Sequence, residues 1–117
     1  MALASVTAEN QALDSLSGGT VNVLAYVNLN SASPGTTGAN ESASTTRQAC
    51  TWNAASGGAK TNSSALSFTT PGTVANTYFS TFSAVTAGTY GIGGALTSSV
   101  TAATITVAAG ALSLTAS

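Results

Sequence analysis

Val21-Asn22-Val23-Leu24-Ala25-Tyr26-Val27-Asn28-Leu29-Asn30 is the stretch that decides the fold. Val21, Val23, Ala25, Val27 and Leu29 alternate with Asn22, Leu24, Tyr26, Asn28 and Asn30. Successive strand side chains point to opposite faces, so a period of two sustained over this length reads as a β-strand with one apolar face. The second face keeps Leu24 and Tyr26, so partial cover is expected there as well.

Before this strand the period is helical. Thr7 can cap a helix over Ala8 to Leu16, with Glu9 in the first turn, where the helix dipole favours a carboxylate. Ala12, Leu13 and Leu16 share one side. Gly18 and Gly19 end the segment.

After the strand, Ser31 to Thr45 is a loop by composition. Pro34-Gly35 suits a type II turn, with Pro fixing φ and Gly taking φ > 0. A second strand is expected from about Thr46 to Trp52, ended by Ser56-Gly57-Gly58. Leu66 and Phe68 mark a third, closed by Pro71-Gly72. Val74 to Ala84 reads as a fourth, with Tyr78 and Phe82 on one face and Phe79 and Thr81 on the other. Tyr90, Ile92 and Leu96 mark a fifth, and Ala102 to Val107 and Ala111 to Thr115 the last two. About seven short antiparallel strands with evenly spaced turns predict a mainly β sandwich or flattened barrel with one short N-terminal helix. The domain reading is one unit over 1–117, with the helix at about 7–17 and the sandwich at about 20–116. The expected core is Leu13, Leu16, Val21, Val23, Val27, Leu29, Trp52, Leu66, Phe68, Tyr78, Phe82, Ile92, Leu96, Ile105, Val107, Leu112 and Leu114.

Composition narrows the function classes. Of 117 residues only Glu9, Asp14, Glu41, Arg47 and Lys60 carry charge, 4% against the roughly 25% usual for soluble domains. With 44% apolar residues the chain does not read as disordered. Two basic residues cannot track a phosphate backbone, which excludes nucleic acid as a partner. No apolar run approaches a membrane span, and Met1 to Val6 lack the basic start and long apolar stretch of a signal peptide. A β-rich chain with so little charge has poor protection against edge-to-edge pairing, so partners that cover its edges are expected.

The catalytic inventory is equally thin. The sequence has no histidine, which removes the usual general base and the commonest metal ligand. Glu9 and Asp14 are five apart and point about 140° away from each other on a helix, so they cannot act as an acid–base pair. The reading is therefore no enzyme, no catalytic residue, no cofactor and no metal. Cys50 has no Cys or His partner in sequence and reads as a small buried hydrophobe beside Trp52, as suits synthesis in a reducing cytoplasm. Asn40-Glu41-Ser42 and Asn62-Ser63-Ser64 match the glycosylation pattern but read as ordinary loop residues. Glu41 and Arg47 can tie the long loop to the following strand, an exposed pair worth at most about 1 kcal/mol.

Four segments then carry a resemblance. They are Leu29-Asn-Ser-Ala-Ser-Pro-Gly-Thr-Thr-Gly-Ala-Asn-Glu41, Arg47-Gln-Ala-Cys-Thr-Trp-Asn-Ala-Ala-Ser-Gly-Gly58, Phe68-Thr-Thr-Pro-Gly-Thr-Val74 and Gly93-Gly-Ala-Leu96. In this order and spacing the chain resembles a family of small structural proteins of tailed phages, many infecting actinobacteria, labelled tail-fibre-like, minor tail or head-decoration protein. Relatives often carry His-Thr-x-Asp where this chain has Asn30-Ser31-Ala32-Ser33, so no site built on that His or Asp carries over. The resemblance implies a virion protein made in the host bacterial cytoplasm. Its partners would be the major capsid protein or tail proteins. Capsid decoration is favoured, since the chain has no repeat or coiled-coil pattern of a distal fibre. The alternative is a tail fibre or minor tail protein contacting the host. A homo-oligomer is expected, with a trimer as the candidate state because capsids offer local threefold sites. The loop is the expected interaction element, since unstructured loops of this length are uncommon unless functional. Pro34, Gly35, Gly38, Asn40 and Glu41 shape it, and Arg47 anchors its base.

Overall fold

The computed structural model describes residues 5–18, 20–43, 45–70, 72–73 and 75–115, the side chains of Thr97 and Ser98 excepted. Helix α1 spans Val6–Gly18. Its cap is Ser5 rather than the expected Thr7. The Ser5 Oγ accepts the Ala8 N–H at 3.2 Å, and the Ser5 carbonyl takes the Glu9 N–H at 3.0 Å. The helix therefore starts earlier than the sequence suggested, while Glu9 still stands in the first turn. Leu13 is buried, Leu16 packs against the core and Ala12 is exposed, which corrects its place on the apolar side. Gly19 lies outside the described residues, as do Pro71 and Val74, which were expected to close the third strand and open the fourth.

Among the described residues eight strands follow: β1 (Tyr26–Asn30), β2 (Gln48–Ala49), β3 (Ala59–Thr61), β4 (Leu66–Thr69), β5 (Asn76–Phe82), β6 (Tyr90–Val100), β7 (Thr104–Val107) and β8 (Ser113–Thr115). They form a four-stranded antiparallel sheet in the order β2-β1-β5-β6 and two antiparallel pairs, β3-β8 and β4-β7. The protein is mainly β with one helix, packed as a sandwich-like globule, with one strand more than the expected seven or so. Val27, Leu29 and Phe79 of the large sheet meet Leu66, Phe68, Ile105, Val107 and Leu114 of the small pairs, with Leu112 just before β8, in one apolar cluster.

The deciding stretch is a shorter strand than its alternation suggests. The Asn22 Oδ1 accepts the Leu24 N–H at 3.0 Å, and the Val23 N–H donates to the Leu16 carbonyl at 3.1 Å. This side-chain turn bends the backbone and ends the alternation, so pairing begins at Tyr26. Val21 is consequently 51% exposed and not core, while Leu24 is fully buried. Phe79 is a second core residue missing from the expected set, and Tyr78 is only half-buried. Leu16, Val23, Trp52, Ile92 and Leu96 pack at the core's margin.

The expected second strand shrinks to two residues. Beyond it Trp52 makes an isolated bridge to Asn62 and donates its indole N–H to the Leu24 carbonyl at 2.9 Å. Strand β3 was not expected. Gly57 and Gly58, at φ 62° and 78°, turn the chain between Ser56 and Ala59. Ala59-Lys60-Thr61 then pairs with β8. Lys60 is 3% exposed, and its Nζ meets Asp14 Oδ1 at 2.7 Å. Asp14 also accepts the Ala55 N–H, and Asn10 Oδ1 the Gly58 N–H, both at 2.9 Å, so α1 is pinned to this hairpin.

Candidate functional site

The second face of the large sheet builds the candidate site. Asn28 and Asn30 of β1 lie on that face, and so do Ser80 and Phe82 of β5, while Val27, Leu29 and Phe79 turn to the core. Asn28 and Asn30 are 1% and 0% exposed. What buries them is the 31–45 loop, folded back along the sheet. The Asn30 Nδ2 donates to the Ala39 carbonyl at 2.9 Å, and Asn30 Oδ1 accepts the Ser80 hydroxyl at 2.7 Å. The Asn28 Nδ2 donates to Glu41 Oε2 at 2.6 Å, and Asn28 Oδ1 accepts the Thr45 hydroxyl at 2.6 Å. The backbone adds Ser31 N–H to the Asn40 carbonyl and Ser42 N–H to the Leu29 carbonyl. Buried polar groups are costly unless paired, so these asparagines fix the loop in one arrangement.

The six sequence-predicted residues fall into two groups, in this loop and at its base. Pro34 is buried, and its carbonyl accepts the N–H groups of Gly38 and Ala39, both at 3.0 Å. Gly35 takes φ 61° as expected, but the loop closes through these wider bonds rather than as a simple type II turn. Gly38, at φ 76°, lies against Tyr90; a Cβ there would sit 2.8 Å from the ring. The Tyr90 hydroxyl donates to the Gly35 carbonyl at 3.2 Å, and a side chain on Gly93 would strike Pro34. Asn40 holds φ 62°, which asparagine tolerates, and donates to the Ser33 carbonyl at 2.8 Å.

Glu41 and Arg47 form the second group. Arg47 donates from Nε to Glu41 Oε2 and from Nη2 to Glu41 Oε1, both at 2.9 Å. This is a two-pronged pair rather than the loose surface contact expected, with Arg47 only 11% exposed at its side chain. The guanidinium stacks 3.5 Å over the Phe82 ring, and Phe82 packs obliquely on Tyr90. Nη1 donates to the Ala84 and Ala87 carbonyls at 2.9 and 2.6 Å. One side chain thus joins the 31–45 loop to the turn after β5, where Ala87 holds a positive φ of 54°. Hydrogen bonding from Arg47 holds the Glu41 carboxyl below its ordinary range, against a burial effect of opposite sign.

Sequence reasoning missed Asn28, Asn30, Thr45, Ser80 and Tyr90. The signal for two of them was present, as asparagines at alternate positions of an otherwise apolar strand. Asn62, expected as an ordinary loop residue, is fully buried and donates to the Ser64 and Ala108 carbonyls while accepting the Leu112 N–H. Cys50 is buried, and desolvation pushes its thiol up to about 11. Among the described residues no three His, Cys, Asp or Glu side chains come together as a metal site would need, and no helix is long and apolar enough to cross a membrane. The arrangement holds an exposed rim of Ser31, Ser33, Thr36, Thr37 and Asn40 on a fixed base.

Residues 3–115 match the family model described as podophage GP4 fiber I protein gp80. No curated protein matches the chain. The chain therefore belongs to that phage fibre family, which makes it a structural component of a virion.

Proposed function

We propose that this member of the podophage fibre family is a non-catalytic structural subunit docked on the head, where it acts as a capsid decoration that stabilises the shell. The observation that carries this reading is the commitment of its charges. Arg47 is held by Glu41, and Lys60 by Asp14, in internal pairs. A group locked in an ion pair is poorly placed for proton transfer, and there is no histidine to take its place. The polar rim of the 31–45 loop is the docking element toward the major capsid protein, with Pro34, Gly35, Gly38, Asn40, Glu41 and Arg47 giving it shape. A preordered loop loses little entropy on docking. Binding only the assembled shell stabilises it by mass action, and many copies add their weak contacts. The protein is made in the host cytoplasm and acts as a homo-oligomer. The actinobacterial host range implied by the resemblance is part of the same proposal.

The family's fibre label supports a second reading, a tail fibre or minor tail protein contacting the host. Particles prepared with and without the protein separate the two. Heat release of the genome at a lower temperature from particles lacking it, with the protein imaged on the head, is the expected result. Equal heat resistance with the protein found only at the tail overturns the head reading. A variant with a shortened 31–45 loop that still folds should fail to enter particles.

A further inference from the structure

The turn between β5 and β6 is exposed from Val85 to Thr89. Val85 is 57% exposed, the most of any large apolar side chain among the described residues. An exposed valine is ordinary by itself. The firmness of the turn that carries it is not. The Ser83 N–H donates to the Thr89 carbonyl at 3.0 Å, and the Thr89 N–H donates to the Ser83 Oγ at 2.8 Å. Arg47 reaches in from the end of the 31–45 loop and donates to the Ala84 and Ala87 carbonyls together. Ala87 holds φ 54°, in the left-handed region that a Cβ disfavours. Gly88 follows at φ 75°, and a Cβ there would sit 2.9 Å from that of Ala84. A strained residue persists where its surroundings fix it, and such residues gather at functional sites. Here Arg47 does the fixing. Its other donors hold Glu41, so one side chain sets the hairpin tip beside the rim of the 31–45 loop.

We propose that Val85 to Thr89 is a contact element in its own right, which seats the Val85 side chain in an apolar recess of the shell protein on which the chain docks, with Arg47 as its positioning residue. The chemistry around the tip argues for a neutral protein as partner. Glu41 and Arg47 neutralise each other, and no side chain after Lys60 is charged. A polyanion has nothing to hold here. A sugar is gripped by stacking on an open aromatic face, and the rings beneath the tip are covered. The Arg47 guanidinium lies over Phe82, and Tyr90 is half-buried with Gly38 against it. What remains open is an apolar side chain flanked by Thr86 and Thr89, the apolar centre and polar rim of a protein–protein contact. The fixed backbone lowers the entropy lost on binding. The inference rests on the virion role proposed above and adds to the polar loop rim a second, apolar contact beside it.

The experiment adds purified protein to particles that lack it and measures bound copies against concentration. Val85→Ser is compared with Val6→Ser, which removes from α1 a valine of nearly equal exposure, 52%. Both are surface substitutions and should leave the melting temperature unchanged. Val85→Ser should bind heads about tenfold more weakly, as expected for one apolar anchor, and Val6→Ser like the unmodified chain. Arg47→Lys, verified to fold, should also weaken binding, and Val85→Ser should then cost less than it does alone, because both act through the same tip. Additive losses would overturn the positioning role of Arg47. Equal binding of Val85→Ser and the unmodified chain to heads, or an equal loss in Val6→Ser, overturns the tip contact and leaves the head reading standing. Binding of the unmodified chain only at the tail overturns the shell partner and the head reading together. Capture of the chain by purified host polysaccharide, abolished by Val85→Ser, would assign the tip to a carbohydrate and overturn the protein partner.

Discussion

At the scale of single residues, stability concentrates where alternation and burial part company. Val21 and Leu24 stand three apart, and only the second is core. Leu24→Ala should cost about 2–5 kcal/mol through lost burial and a residual cavity, whereas Val21→Ala should stay within about 0.5 kcal/mol. Denaturant titration of both variants checks this. Glu41 and Arg47 give a pH signature. The folded carboxyl titrates below its ordinary value of 4.5, chiefly because Arg47 donates to it. A depressed carboxyl contributes stability above the unfolded value, and that contribution is lost as pH falls through the folded one. The melting temperature should therefore drop on acidification from about pH 5 to about pH 3. Arg47→Ala should lower it at neutral pH and flatten the part of the acid slope that belongs to Glu41. An unchanged slope in that variant would show that the pair does not set it.

At the scale of elements, the 31–45 loop behaves as a third layer of the sheet. Gly38 and Gly35 both hold positive φ, but only Gly38 is pressed against a ring. Gly35→Ala should cost about 1 kcal/mol of backbone strain, and Gly38→Ala about 2–4 kcal/mol because Tyr90 must also move. Equal losses would mean that the loop is not packed on Tyr90 in solution. The loop's existence, its punctuation and the Glu41–Arg47 tie were legible in the sequence, because Pro, Gly and charge act locally. Its fold-back was not, since Tyr90 and Gly93 come against it from a strand far along the chain. Strand β3 was hidden for a similar reason. Ala59-Lys60-Thr61 has no apolar alternation, and it is a strand because β8 pairs with it and Asp14 of the helix receives its lysine. The start of β1 was overextended because the turn before it is made by an asparagine side chain, without Gly or Pro to mark it.

At the scale of the whole molecule, the internal pairing of charge bears on how the protein is held. A domain with 4% charged residues could still dock electrostatically if its few charges were gathered on one face. Here the two cations are drawn inward instead. Lys60 is 3% exposed, and Arg47 is closed over by Glu41, Phe82 and two carbonyls. Neither cation offers a free charge to an acidic partner. On the proposed reading, docking then rests on apolar area and hydrogen bonds such as the loop rim would make. Salt screens exposed charges within about 8–10 Å at ordinary ionic strength but leaves apolar contacts intact or stronger. Elution from purified particles should accordingly change little between low and moderate salt. It should respond to mild denaturant, which weakens apolar contacts and competes for backbone hydrogen bonds. Release of most copies by moderate salt alone would show that charge steers the contact, and that Arg47 or Lys60 leaves its internal partner on docking.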